Sequence, residues 1–172
     1  MTELTGMTMS ELADWARDAG YPAFRGKQIF RWIHQGRDFE EMTNLPSDMR
    51  KTLAETCVAQ PVRIMLNRVS SLDGTVKFLF GLRDGNCVEG VLMRYHYGNT
   101  LCLSTQVGCR MGCRFCASTL DGCIRNLTAG EMLGEILAAN RHLADSGEKD
   151  SRVSHVVLMG SGEPLDNYDQ VM

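Results

Sequence analysis

The fold is decided by the stretch Cys109-Arg-Met-Gly-Cys113-Arg-Phe-Cys116. Its three cysteines are spaced four and three residues apart, directly after a strand-like apolar run at residues 100–105 and a predicted turn at residues 106–108. Thiolates from one loop can converge on one point, as an iron–sulfur cluster or a zinc ion requires. If the group is a four-iron cluster, three protein ligands leave one iron open to another molecule. The stretch therefore predicts a reactive metal site, at which another molecule can bind.

A structural zinc site is the alternative interpretation of these cysteines. Such sites usually combine two Cys-x2-Cys pairs, or one pair with spaced histidines, and this chain contains a single pair. His96, His142 and His155 are not spaced as partners of the cysteines. The pattern favours a 4Fe-4S cluster held by Cys109, Cys113 and Cys116.

The wider sequence resembles a known family. The Cys-x3-Cys-x2-Cys spacing, with an aromatic residue before the last cysteine, is similar to the signature of radical S-adenosylmethionine (SAM) enzymes. Further matching segments narrow the resemblance to the RNA adenine methyltransferases of the RlmN/Cfr type; they lie at residues 102–109, 116–119, 125–127 and 160–164. Members of that family methylate carbon 2 or carbon 8 of an adenine in large-subunit ribosomal RNA.

The composition is that of a globular protein. Of the 172 residues, 44% are hydrophobic and 23% are charged, which argues against wholesale disorder. No apolar run is long enough to span a membrane, and the N-terminus lacks the regions of a signal peptide. We therefore expect a cytoplasmic protein without membrane contact. In that compartment its seven cysteines are better suited to metal binding or redox chemistry than to disulfides.

Residues 1–60 predict a small helical module. Capping signals and apolar periodicity indicate three helices, at residues 8–20, 24–35 and 47–57. The second helix carries Arg25, Lys27 and Arg31 on one side. From the residues alone, a solvated surface explains this basic face better than contact with RNA phosphates. The resemblance reverses that preference, because it implies an N-terminal module that helps to hold RNA.

From residue 62 the sequence alternates as β-strands do. Three runs separated by turn signals predict an antiparallel β element over residues 61–98; they span residues 62–69, 76–82 and 87–93.

Residues 99–172 predict a strand before the cysteine loop, a polar loop at 118–126, a helix at 128–146 and a strand at 154–159. This order is a βαβ unit, so the predicted fold class is α/β. The resemblance implies the start of a radical SAM partial (β/α)6 barrel. A further helix begins near residue 166, and we expect the chain to be a truncated N-terminal fragment.

The resemblance also implies how SAM is held. The glycine-rich turn at residues 160–164 follows the last predicted strand, at the edge where α/β sheets bind ligands. It resembles the turn that grips the SAM amino group, which makes Gly162 and Glu163 candidate cofactor-binding residues together with Phe115. Ser161 departs from the family pattern, which has a methionine-like residue there.

Two further residues acquire catalytic roles by resemblance. Cys102 alone reads as a small core residue, but it matches a second catalytic cysteine that resolves a covalent enzyme–RNA intermediate through a disulfide. Glu89 stands in an apolar strand, where a glutamate usually faces solvent; buried, it would have a raised pKa and could act as a general base. It matches the family's proton acceptor for the adenine.

The resemblance implies methylation of carbon 2 of an adenine in 23S rRNA, through a radical generated from SAM. It also implies tRNA as a second substrate, an electron donor such as flavodoxin, and a monomeric protein. The family's methyl-carrying C-terminal cysteine has no match here, so we expect this chain alone to be inactive. The alternatives are another radical SAM enzyme, such as a carbon 8 methyltransferase, and a non-catalytic, metal-stapled RNA-binding module.

Overall fold

The computed structural model describes residues 1–147 and 151–172. Within this range the chain forms two compact units, Met1–Pro61 and Val62–Met172. No helix in the described residues is both long enough and apolar enough to cross a lipid bilayer.

The first unit is built from three helices and two very short strands. Its elements are β1 (Thr2–Glu3), α1 (Met9–Asp18), α2 (Phe24–Ile33), α3 (Ser47–Thr56) and β2 (Cys57–Val58), with a 3-10 helix at Phe39–Glu41. The capping box predicted at the start of α1 is present, since Thr8 and Glu11 bond each other's backbone N–H groups. Strand β1 pairs in parallel with β2, a contact that the sequence analysis did not predict.

The second unit contains one five-stranded sheet, one two-stranded sheet and one long helix. Its elements are β3 (Val62–Val69), β4 (Val76–Leu82), β5 (Cys87–Tyr95), β6 (Gly98–Cys102), β7 (Gln106–Gly108), β8 (Cys123–Asn126), α4 (Ala129–Asp145), β9 (Val153–Val157) and α5 (Tyr168–Val171), with 3-10 helices at Ala117–Thr119 and Pro164–Asn167.

The main sheet has the order β3-β4-β5-β6-β9. The first four strands are antiparallel neighbours, whereas β6 and β9 are parallel and are connected through α4. One face of the sheet supplies the core, with Phe78, Phe80, Leu92 and Leu101 almost fully buried. Helix α4 contributes to this core, and its His142 ring meets the Phe78 ring edge-on at 5.1 Å.

The predicted fold class is confirmed, including the helical N-terminal part, the antiparallel strands and the βαβ unit. Two local predictions were wrong. Residues 106–108 form strand β7 rather than a turn, and the predicted loop at 118–126 contains its partner β8. The partners lie far apart in sequence, so local polarity could not reveal their pairing. The division at residue 98 stays a prediction; strands from both sides of it join one sheet.

Close packing of α1 against α2 depends on Gly26. A Cβ atom added there would lie 2.5 Å from the Leu12 carbonyl carbon and 2.6 Å from the Ala13 Cα, both of them backbone atoms. We expect Gly26→Ala to destabilise the first unit by about 2 kcal/mol or more, although alanine is normally the better helix former by about 1 kcal/mol. Urea unfolding followed by circular dichroism measures this change. The exposed neighbour Lys27, replaced by alanine, is the control; equal stability of the two variants contradicts the prediction.

Candidate functional site

The cysteine loop follows β7 and is closed by β8. The first residue of the loop is held in place by a hydrogen bond, in which the Cys109 N–H donates to the Gly122 carbonyl at 2.9 Å. Cys109 is buried, Cys113 is exposed and Cys116 is half-buried, and all three thiols are free. Among the described residues, no three His, Cys, Asp or Glu side chains are grouped so that they could hold a metal ion. The loop thus carries the three predicted ligands without bringing them together.

The glycine-rich turn at residues 160–164 lies against the segment that leads into the cysteine loop. Its Ser161 carbonyl accepts from the N–H groups of Thr105, at 2.8 Å, and Gln106, at 3.1 Å. The approach is close at Gly162, whose φ is +107° and where a Cβ atom would lie 2.7 Å from the Gln106 N. The turn and the loop, which the sequence predicted to be neighbours, share this backbone contact.

Gln106 connects three segments of the site and is fully buried. Its Oε1 accepts from the Glu163 N–H at 2.9 Å, and its Nε2 donates to Asn126 Oδ1 at 2.8 Å and Asp166 Oδ2 at 2.9 Å. Every polar atom of this amide is therefore satisfied, as a buried amide requires. The sequence analysis treated Gln106 only as a turn residue and missed this role.

Two further contacts hold the same region. The buried Asn167 donates to the Thr105 and Leu127 carbonyl oxygens, each at 2.9 Å. Arg110, inside the cysteine loop, forms an ion pair with Asp166, and this guanidinium is the main reason that the Asp166 pKa lies below its usual value. The loop, the turn and the 3-10 helix at Pro164–Asn167 are consequently one connected cluster.

The predicted SAM-binding residues differ in their surroundings. Gly162 and Glu163 lie in the turn just described, and a Glu163 carboxylate oxygen accepts from the Leu165 N–H at 3.0 Å. Phe115 lies in the cysteine loop and is 96% exposed. The structure therefore brings Gly162 and Glu163 to the base of the loop, whereas the Phe115 ring projects into solvent.

Glu89 and Cys102 lie on the same face of the main sheet, the one opposite α4. Val91 is the register partner of Cys102, and Glu89 is two residues from Val91 on the same strand. The burial considered for Glu89 is absent, since its side chain is 61% exposed and its Oε1 lies 2.8 Å from Lys77 Nζ. A depression of about 400 Å³ on the sheet is lined by Glu89, Lys77 and Arg68 among others.

Cys102 is half-buried between its neighbours on β5 and β9. Burial raises the pKa of its thiol, a hydrogen bond from the Met159 backbone lowers it, and the nearby Glu135 carboxyl raises it. The net increase means that Cys102 is a thiol rather than a thiolate at neutral pH.

Arg125, in the segment that matched the family at residues 125–127, has a structural role in this unit. Its guanidinium donates to both carboxylate oxygens of Glu131 at 2.8 Å and to Asp84 at 2.6 Å. These bonds, above all those to Glu131, raise the Arg125 pKa and keep that of Asp84 far below its usual value. Strand β8 is thereby tied to the first turn of α4 and to the turn between β4 and β5.

Glu135 of α4 is a buried carboxyl that the sequence analysis did not identify. It is fully buried, its Oε2 accepts from the Ser104 N–H at 3.3 Å, and its Oε1 has no partner among the described residues. Burial is the main cause of a pKa raised well above the usual 4.5. From the sequence, a glutamate among the apolar residues of a helix is expected to be exposed. Only the structure reveals that Glu135 is buried.

The contacts of Gln106 generate a stability prediction. Gln106→Leu keeps the approximate volume but leaves the Glu163 N–H, the Asn126 amide oxygen and the Asp166 carboxylate without this partner. We expect a loss of about 3 kcal/mol in the free energy of unfolding, measured by urea titration. The control is Gln170→Leu, because Gln170 is exposed and makes one backbone contact, to Ala129. A cost for Gln106→Leu no larger than that of the control would refute this role.

The burial of Glu135 predicts a pH dependence of stability. A carboxyl with a raised folded pKa stays protonated in the native state while the unfolded chain ionises above 4.5, so this group makes stability fall as pH rises. We expect Glu135→Gln to remove a decline of up to about 1.4 kcal/mol per pH unit. Urea unfolding of both proteins between pH 5 and 8 measures the difference, with the exposed Asp169→Asn as control. Parallel pH profiles for wild type and Glu135→Gln contradict the prediction.

Comparison with known proteins relates this architecture to a family. Residues 2–59 match the family described as "Ribosomal RNA large subunit methyltransferase N-terminal domain". Two curated relatives named "Probable dual-specificity RNA methyltransferase RlmN" come from Alkaliphilus oremlandii (51% identical, 99% of this chain and 48% of the relative) and Clostridium perfringens strain 13 (50% identical, 100% and 48%). The chain spans about half the length of these relatives.

A solved structure gives the same result for the fold. It is described as "Crystal Structure of a radical SAM methyltransferase from Sphaerobacter thermophilus", is 39% identical, and matches with a TM-score of 0.91 over 100% of this chain and 50% of that chain. The resemblance stated from the cysteine motif is thereby confirmed. Over its whole length the chain is similar to members of the RlmN family of RNA methyltransferases.

Proposed function

We propose that the protein is a radical SAM methyltransferase that methylates carbon 2 of an adenine in 23S rRNA, with tRNA as a second substrate. The chain supplies the cluster loop, part of the SAM site and part of the RNA-binding surface. The observation that carries this proposal is the contact between the turn at residues 160–164 and residues 105–106, which lead into the cysteine loop. A cofactor that bridges a metal cluster and an amine-binding turn needs these two segments side by side.

The three cysteines of the loop fit a 4Fe-4S cluster by their chemistry. Cys109, Cys113 and Cys116 are free thiols within eight residues, and soft thiolates are the ligands that iron–sulfur clusters take. Gly112, between the first two, has open space where a Cβ would stand. Cys113 is exposed, so its thiol is accessible to a metal.

When bound, such a cluster supplies the electron that cleaves SAM. The chain's own contribution is to hold SAM beside it: Gly162 lets the backbone approach the ligand, and the Glu163 carboxylate can accept from the SAM amino group. Glu163 now accepts from the Leu165 N–H, so one of its oxygens is already oriented by the turn. Phe115, exposed beside the last cysteine, would cover the bound cofactor.

Glu89 and Cys102 are proposed as the residues that handle the adenine. Their place on one sheet face, away from α4, supports a shared substrate-facing role. Glu89 would accept the ring proton, with Lys77 holding its carboxylate toward the depression on that face. Cys102 would resolve the covalent enzyme–RNA intermediate by forming a disulfide with the cysteine that carries the transferred carbon, as the bond between that sulfur and the carbon breaks. Cys102 must first lose its proton, because burial keeps it a thiol. An external electron donor such as flavodoxin is part of this proposal.

RNA contact is proposed for the basic side of α2. Lys27 and Arg31 are exposed there, and Arg25 is half-buried over the Phe24 ring, with its guanidinium carbon 4.8 Å from the ring centroid. Exposed cations of this kind suit phosphate contacts, which set affinity rather than sequence choice. Residues 2–59, which contain α2, are also the part that matches the family's N-terminal domain.

A carbon 8 methyltransferase of the same type remains the second candidate for the reaction, since the cysteine motif is shared by both. The carbon 2 assignment follows from the resemblance to the RlmN/Cfr type, in which methylation of carbon 2 is the commoner activity. Product analysis of methylated adenine from the complete protein separates the two. Measuring the metal content of the protein distinguishes the radical SAM enzyme from the alternative of a non-catalytic, metal-stapled RNA-binding module.

Anaerobic reconstitution with iron and sulfide tests the proposed function directly. We expect about four irons per chain and an electron paramagnetic resonance signal that shifts when SAM is added, because three cysteines leave one iron open. The control is Cys113→Ser, which removes one loop ligand; Cys87→Ser changes an exposed cysteine outside the loop and should leave the iron content unchanged. Zinc in place of iron, or a signal that ignores SAM, would overturn the proposal.

A further inference from the structure

Glu135 lies at a position where burial of a carboxyl group lowers the stability of the fold. It is fully buried on the sheet-facing side of α4, and one of its oxygens lacks a hydrogen-bond partner among the described residues. Its neighbour one turn earlier, Glu131, has its charge balanced by Arg125, so that cation is already engaged. An apolar residue would fill this position more favourably. What distinguishes Glu135 is its hydrogen bond to Ser104.

Ser104 is a junction between three segments. Its N–H donates to Glu135 Oε2 at 3.3 Å, and its hydroxyl donates to the Glu89 carbonyl at 2.8 Å while accepting from the Ser161 N–H at 2.9 Å. Ser161 in turn accepts, through its carbonyl, from Thr105 and Gln106. A continuous series of hydrogen bonds therefore leads from α4 through Ser104 to the turn at residues 160–164.

We propose that Glu135 is a positioning residue for the SAM-binding turn: by holding the Ser104 N–H, it fixes the hydroxyl that carries Ser161. This inference rests on the proposed function, because it assigns the turn to SAM. The contact with Ser104 requires only an acceptor oxygen at this position, which the side-chain amide of glutamine also supplies. It does not contact the reacting groups itself and is not a catalytic residue.

Hydrogen exchange of backbone amides tests the positioning role without any cofactor. The variants are Glu135→Leu, which removes the acceptor, and Glu135→Gln, which keeps it. Leu143→Ala is the matched control: Leu143 is also fully buried in α4 but belongs to the apolar core. We expect Glu135→Leu to accelerate exchange at Ser161, Thr105 and Gln106 about tenfold, and Glu135→Gln to match wild type.

The affinity of the reconstituted chain for SAM, measured by equilibrium dialysis with labelled SAM, is the second readout. We expect it to fall about tenfold in Glu135→Leu. Glu135→Gln should retain wild-type affinity. Leu143→Ala should lower the melting temperature while leaving both the affinity and the local exchange near wild type, because its cavity lies away from Ser104.

The outcomes separate this inference from the proposed function. Wild-type exchange at the three amides in Glu135→Leu, or equal acceleration in Leu143→Ala, overturns the positioning role. Failure of the wild-type chain to bind SAM overturns the assignment of the turn to SAM, and the exchange data still decide whether Glu135 holds that turn.

Discussion

The buried amide of Gln106 is the constraint on which the candidate site depends. It is the last residue before the cysteine loop that is fully enclosed, and its three hydrogen bonds end on Glu163, Asn126 and Asp166. Those residues belong to the glycine-rich turn, to β8 and to the 3-10 helix before α5. One side chain therefore sets the distance between the glycine-rich turn and the strand pair that carries the loop. The ion pair between Arg110 and Asp166 joins the loop itself to this base.

Rigidity below the loop contrasts with the loop's own state. The ends of the cysteine segment are anchored by β7 and β8, while Cys113 and Phe115 between them are exposed. Under the proposed function, a cluster held by the three cysteines would complete the interior of this loop, much as a zinc ion completes a small metal-binding domain.

How far the sequence anticipated the structure differs by element. The capping boxes of α1 and α4, and the alternating strands β3 to β5, follow from local rules, and the structure reproduces them. The cysteine spacing identified the loop and its family. Pairing of β7 with β8, the hub at Gln106 and the burial of Glu135 depend on contacts between residues distant in sequence. Composition carries no signal for such contacts. A polar residue is expected to be exposed when only its neighbours in sequence are considered, even where the fold buries it. Glu89 illustrates the opposite case, since its exposed ion pair with Lys77 is what an isolated strand glutamate usually makes.

The parallel pairing of β6 with β9 has a kinetic consequence. Thr100 lies opposite His155, and everything between them, including the cysteine loop and α4, must be synthesised and arranged before that register can form. The antiparallel strands β3 to β6 need only short hairpins and can assemble early. The glycine-rich turn reaches the loop base only after β9 docks, so the site is completed in the last stage of folding.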